Sequence, residues 1–294
     1  MDVPFSWQVA KLLVSVGVVL GLSLVAERAS PRVAGLLSGY PLGTAIALFF
    51  IGLEISPAFA AEGAVHTLAG FSATLALTGG YWLCGRRDGV VGMLRGSLGG
   101  IGAWLIVALL LTRFDFNRLE GSLVTLVAIA GFLWLYRHIP DSRAARRGGF
   151  SWAALGSRAL LAAAIIFLIT GLAHAIPAAW AGVLAAFPVT MFPFLIILHL
   201  SHGAAPVATV IKHYPAGLGS LLCYALTVSL TYTNLGLALG TAAGFVAATL
   251  WLLAWTRIQT WRLRKRSLET PRSEDRPSPH TMAKTADSPN NPSP

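Results

Sequence analysis

Apolar residues run along this chain in blocks of about 20, each closed by a short polar or cationic cluster. That is the length that carries an α-helix across a bilayer. The blocks predict nine helices, at 8–26, 33–54, 64–84, 90–112, 119–137, 155–174, 178–199, 208–231 and 234–256. Three boundaries are weakly marked. The stretch 52–66 has no strong polar break, 200–212 is only weakly polar, and Arg95 lies in the first turns of the fourth block. The expected fold class is an all-α integral membrane protein.

The pattern also repeats itself. Ala34 to Thr44 reads AGLLSGYPLGT, and 147 residues later Ala181 to Met191 reads AGVLAAFPVTM. The same offset aligns His66-Thr-Leu-Ala-Gly70 with His213-Tyr-Pro-Ala-Gly217, and Lys11 with Arg158. Agreement at one offset across about sixty residues marks an internal duplication, a recurrent plan of transporters. Each copy holds four blocks, at 8–112 and 155–256. The block at 119–137 has no partner and adds one crossing. The second copy therefore enters from the opposite face, giving two inverted four-helix repeats joined by a single linker helix. The corresponding domains are 1–112, a linker helix and basic loop at 113–150, 151–258, and a tail at 259–294.

The fourth and ninth blocks carry Gly92, Gly96, Gly100 and Gly236, Gly240, Gly244. Small residues every four positions let helix backbones approach closely in lipid. Their match needs an offset of 144, hence a connection three residues shorter in the second copy. An offset of 147 would instead pair Trp104 with Trp251.

Charge supplies the orientation. Only 12% of residues are charged and 55% are hydrophobic, against roughly 25% charged in a soluble domain. Lys and Arg accumulate on the cytoplasmic side. Arg257, Arg262, Arg264, Lys265 and Arg266 place the C-terminus inside, and nine crossings then place the N-terminus outside. The inside loops hold Arg28 and Arg32, Arg86 and Arg87, Arg143, Arg146 and Arg147, and Lys212. The outside loops hold mainly Arg113 and Arg118, offset by Asp115 and Glu120. No cleaved leader is expected, because no basic start precedes the first apolar block. Cys84 and Cys223 support neither a disulfide framework nor a metal cluster. The basic balance is a topological signal, and no nucleic-acid partner is expected. Residues 267–294 are rich in Pro, Ser and mixed charge, which predicts a disordered cytoplasmic tail.

The motif A-G-x-x-x-x-F/Y-P, an apolar run, then His and Gly, resembles the GlpM family of small four-span bacterial inner-membrane proteins. The second copy carries it as Ala181-Gly182, Phe187-Pro188, Thr190, His199 and Gly203; the first carries Ala34-Gly35 and Tyr40-Pro41, with Gly52 where the second has His199. The resemblance implies a four-helix membrane unit, here present as two fused copies, in a bacterial inner membrane.

Candidate site residues follow from chemistry that a membrane interior penalises. Pro41 and Pro188 fall inside the second and seventh blocks. Proline removes a backbone donor and breaks the preceding turn, and broken helices at a repeat interface are where transporters place substrate. Tyr40 and Phe187 precede the breaks, and Gly43, Thr44 and Thr190 follow them. These seven residues are the expected substrate site. Glu54 is an acid near a span interior, a functional expectation in its own right; the alternative is that it reaches the outer interface. His66 and His213 occupy equivalent positions, and His199 and His202 flank the end of the seventh block. Histidine suits proton coupling, so Glu54, His66, His199 and His213 are the expected coupling residues. No P-loop, HExxH or GxSxG motif is present, so neither ATP hydrolysis nor hydrolase chemistry is expected.

The chain is therefore expected to be a secondary transporter of a small solute rather than an enzyme, without cofactor or metal. Its partners would be the bilayer and a small molecule or ion, with a homo-oligomer left open. The alternative is a non-transporting scaffold or accessory subunit of an envelope complex.

Overall fold

The computed structural model describes residues 5–28, 30–142 and 152–269. Among them every regular element is a helix: α1 Phe5–Arg28, α2 Pro31–Ser38, α3 Leu42–Glu54, α4 Pro57–Cys84, α5 Gly89–Leu111, α6 Arg118–Tyr136, α7 Trp152–Ala173, α8 Ala178–Ala185, α9 Met191–His202 and α10 Ala204–Glu269. The basic residues Arg143, Arg146 and Arg147 and the tail from 270 lie outside the described residues. Among the described residues, five stretches are long and apolar enough to cross a membrane: Pro31–Glu54, Gly89–Leu111, Arg118–Tyr136, Leu155–Ala173 and Ala204–Trp261. Leu98, Ile106 and Leu119 expose 72%, 70% and 78% of their surface. Apolar faces of this kind are compatible with lipid contact.

Helix starts are locally encoded. Ser30 and Ser56 each precede a proline and accept the amide N–H three residues on, from Val33 and Phe59. Asn117 and Glu120 close a reciprocal capping box at the start of α6. The Ser56–Pro57 start extends the third predicted helix by two turns, into the stretch that lacked a polar break. The eighth and ninth predicted helices run together as α10, with Gly236 (φ 76°) marking the kink between them. Gly219 faces Trp251, and Gly244 faces Tyr224 and Val228. The chain therefore folds back on itself about Gly236.

α4 and α5 form the matching hairpin, closed by Gly85 to Asp88 and by Gly89 (φ 78°). Gly96 packs against Tyr81 and Gly85, and Gly100 against Leu77. Gly240 packs against Tyr232 and Gly244 against Tyr224. Tyr232 and Tyr224 lie 147 residues beyond Gly85 and Leu77, whereas Gly240 and Gly244 lie 144 beyond Gly96 and Gly100. The two glycine sets thus meet partners whose spacing differs by three residues between the hairpins.

Two clusters of buried apolar side chains form the interior of the first unit, Met1–Leu252. One gathers around Leu68, Phe71 and Tyr81 with Leu195 and Leu218; the other around Leu48, Ile51 and Ile166 with Val228. The second unit begins at Leu253. There Thr256 and Thr260 donate back to the Leu253 and Arg257 carbonyls along the last turns of α10.

Candidate functional site

The two proline breaks share one hydrogen-bond pattern. In the first, Tyr40 N–H donates to Leu37 O at 2.9 Å, Leu42 N–H to Tyr40 O at 2.8 Å, and Ala45 N–H to Pro41 O at 2.8 Å. In the second, Phe187 donates to Leu184 O at 2.9 Å, Val189 to Phe187 O at 2.8 Å, and Phe192 to Pro188 O at 2.8 Å. Each donor and acceptor moves by 147 residues. The cause is the same in both: proline has no N–H to continue the helix, so a tight three-residue turn restarts it.

The breaks also meet. A methyl group on Gly43 would lie 3.0 Å from Val189 Cβ and 3.6 Å from Thr190 Cγ2. Thr190 is the counterpart of Gly43 at the repeat offset. The flanking helices pack reciprocally. Gly35 lies on the Val210 carbonyl, and Gly182 lies on Gly63. Gly39 lies on Gly217, and Gly70 lies on Ala186. Ser220 donates to Gly39 O at 2.6 Å, and Ala186 O, 147 residues on, accepts at 2.5 Å from Thr74, one position past the residue that aligns with Ser220. This i-to-j and j-to-i pattern is what two-fold related surfaces produce.

Pro41, Gly43, Thr44, Pro188 and Thr190 are all buried at this junction. Tyr40 and Phe187 turn away from each other. Tyr40 stacks on Phe245 at 5.8 Å and its hydroxyl pairs with Thr249 at 3.0 Å. Phe187 packs edge-on against Trp104 at 5.3 Å and Phe192 at 5.7 Å. A pocket of about 620 Å³ opens beside the start of α6, between Phe114, Phe116 and Val127; none of the expected site residues lines it.

The expected coupling residues stand in separate places. Glu54 is buried at the end of α3: its side chain is only 2% exposed and is ion-paired with Lys11, itself 2% exposed. Glu54 Oε2 also lies 3.2 Å from His174 Nε2. Lys11 donates to Thr170 Oγ1 at 2.8 Å and stands over the rings of Phe167 and Phe50, at 4.9 and 5.6 Å. His199 is buried between the Tyr81 hydroxyl at 3.1 Å and the Arg87 carbonyl at 2.8 Å. His66 is half-buried on α4, within the field of Glu62 and Asp115. His213 pairs with Asp141 at 3.0 Å, and Lys212 pairs with the same carboxylate at 3.0 Å. Burial works to raise the Asp141 carboxyl, but the hydrogen bonds and charges of Lys212 and His213 outweigh it and hold it below its usual range.

Sequence reasoning missed Lys11, Thr170 and His174 as parts of one site. A signal existed for Lys11, a cation inside the apolar block 8–26, where an ionisable group needs a reason. Its counterpart Arg158 is also buried, 4.5 Å over the ring of Phe194.

No protein-family model, curated protein or solved structure matches the chain.

Proposed function

We propose that this chain is a secondary transporter of a small solute, built from two inverted four-helix repeats around the Gly43–Thr190 junction. The observation that carries the reading is that two helices break with one hydrogen-bond pattern and meet at equivalent residues. Alternating access requires such a pseudo-symmetric pair, since each half can adopt the other's conformation. Inversion is supported by direction: Lys11 near the start of α1 contacts Thr170 near the end of α7, so these counterpart helices run antiparallel. Nine crossings place Lys11, Glu54 and His174 together at the outer end. They place Asp88 and Ala204, linked at 2.7 Å, at the inner end. The location proposed is a bacterial inner membrane with a cytoplasmic C-terminus, and a GlpM-like origin of each half rests on the A-G…F/Y-P motif alone.

Uptake into proteoliposomes, with and without an imposed proton gradient, tests the reading. A solute should accumulate faster than in protein-free vesicles, and the gradient should change the rate. Identical uptake in both across a broad solute panel would overturn it.

A non-transporting scaffold is the second reading. It is favoured by the burial of all five junction residues and by the engagement of Tyr40 and Phe187 in aromatic packing. A permanently filled junction would leave no path for a solute.

A further inference from the structure

The cluster at Lys11 has the chemistry of a receptor for an ammonium group. One carboxylate, of Glu54, faces the Lys11 nitrogen, and one hydroxyl, of Thr170, accepts from it at 2.8 Å. Two aromatic faces, Phe167 and Phe50, flank it at 4.9 and 5.6 Å. Aromatic faces attract cations most strongly where water is excluded, and this nitrogen is buried. Glu54 is also the last residue of α3, so the negative end of a half-helix adds to the cationic preference. One turn further along α1, the Ser15 hydroxyl is fully buried and has no hydrogen-bond partner. An orphaned hydroxyl is costly in such a setting and points to a ligand group not yet placed. His174, 37% exposed and 3.2 Å from the Glu54 carboxylate, lies between the cluster and the surface.

We propose that this cluster is a binding site for small primary ammonium ions, with the Lys11 side chain as its tethered occupant. The inference deepens the transporter reading, because it makes a primary amine the solute class. An incoming ammonium ion enters past His174 and takes the Glu54 carboxylate and the Thr170 hydroxyl. The Lys11 ammonium then leaves with α1, since two cations cannot share one buried carboxylate. Ligand binding is thereby tied to separation of α1 from α3. On the other helices packed against α3, His66 of α4 lies in the field of Glu62 and Asp115, Arg158 of α7 lies over the Phe194 ring, and α8 has no titratable residue.

The test is saturable binding of radiolabelled methylammonium to the purified full chain in detergent, at fixed pH and ionic strength. The wild type should bind, and Lys11→Ala, which removes the competitor, should bind at least tenfold more tightly. The Lys11→Ala melting midpoint should rise with methylammonium but not with equal sodium chloride or tetramethylammonium chloride. Glu54→Asp should retain weakened binding. Lys11→Met/Glu54→Gln, which removes the pair as a unit and is the variant expected to fold without it, should not bind. Absence of saturable binding by the wild type overturns the proposal. So does binding that survives in the folded double variant, or a response of Lys11→Ala to sodium alone. Uptake separates this proposal from the reading beneath it. Binding without flux leaves the ammonium site standing and removes the transporter, whereas flux of another solute without methylammonium binding removes the site alone.

Discussion

Gly43 packs against Thr190, 147 positions further along the chain, at a distance that leaves 3.6 Å to Thr190 Cγ2 from any added methyl. Contact between equivalent positions occurs only near a two-fold axis. Any solute path along that axis passes between these two residues, and the first test follows directly. Gly43→Val and Thr190→Trp should each reduce flux to below a tenth of wild type while leaving the melting midpoint within a few degrees. Loss of folding with loss of flux would make the junction a packing feature only.

The prolines give a separate test. Pro41→Ala and Pro188→Ala restore a backbone N–H and allow the helix to straighten, removing the three-residue turns that shape the junction. Both should fold in lipid and slow uptake by at least tenfold. Unchanged flux in both variants would assign the breaks to packing and favour the scaffold.

The buried ion pair should respond asymmetrically to substitution. Lys11→Met or Glu54→Gln alone strands a buried charge and should cost about 3–5 kcal/mol. The double variant should recover most of that loss. Equal, additive losses in a double-mutant cycle followed by thermal melting would show that the two charges do not act as a pair.

Glycine packing predicts opposite signs at two sites. A side chain at Gly39 would strike the Gly217 backbone, whereas nothing lies within 4 Å of a methyl on Gly102. Gly39→Ala should destabilise by about 1–3 kcal/mol because backbone cannot yield as a side-chain tip can. Gly102→Ala, mid-helix on α5, should stabilise by about 0.5–1 kcal/mol. Melting midpoints of the purified variants decide both.

Asp141 predicts an acid-dependent contribution. Its carboxyl sits below its ordinary value of 3.8 in the folded chain, so between the two values the unfolded state binds more protons. The contribution is present above 3.8 and lost as pH falls further, through the folded value. The side chain is 48% exposed, so the effect should be small, about 0–1 kcal/mol. Asp141→Asn should melt slightly earlier than wild type at neutral pH and match it in strong acid. A gap that widens in acid would contradict the assignment.

Much of the scaffold was legible along the chain, because its causes are local. Helix lengths follow from apolar blocks matched to a bilayer. The breaks follow from prolines that cannot donate, and the Ser56–Pro57 start from its own cap. The shared hydrogen-bond pattern of the two breaks follows the 147-residue spacing of Tyr40-Pro41 and Phe187-Pro188 in the sequence. What the sequence could not express was proximity. Lys11 and Thr170 are 159 positions apart, and Glu54 and His174 are 120 apart. No periodicity relates a carboxylate at the end of one half-helix to an ammonium on another helix. The same limit hid the ring partners of Tyr40 and Phe187, which stack on Phe245 and pack against Trp104. Local chemistry decides where a helix begins, breaks and ends. Which charges share a dry interior is decided only when the helices pack, because an uncompensated charge there is too costly to keep.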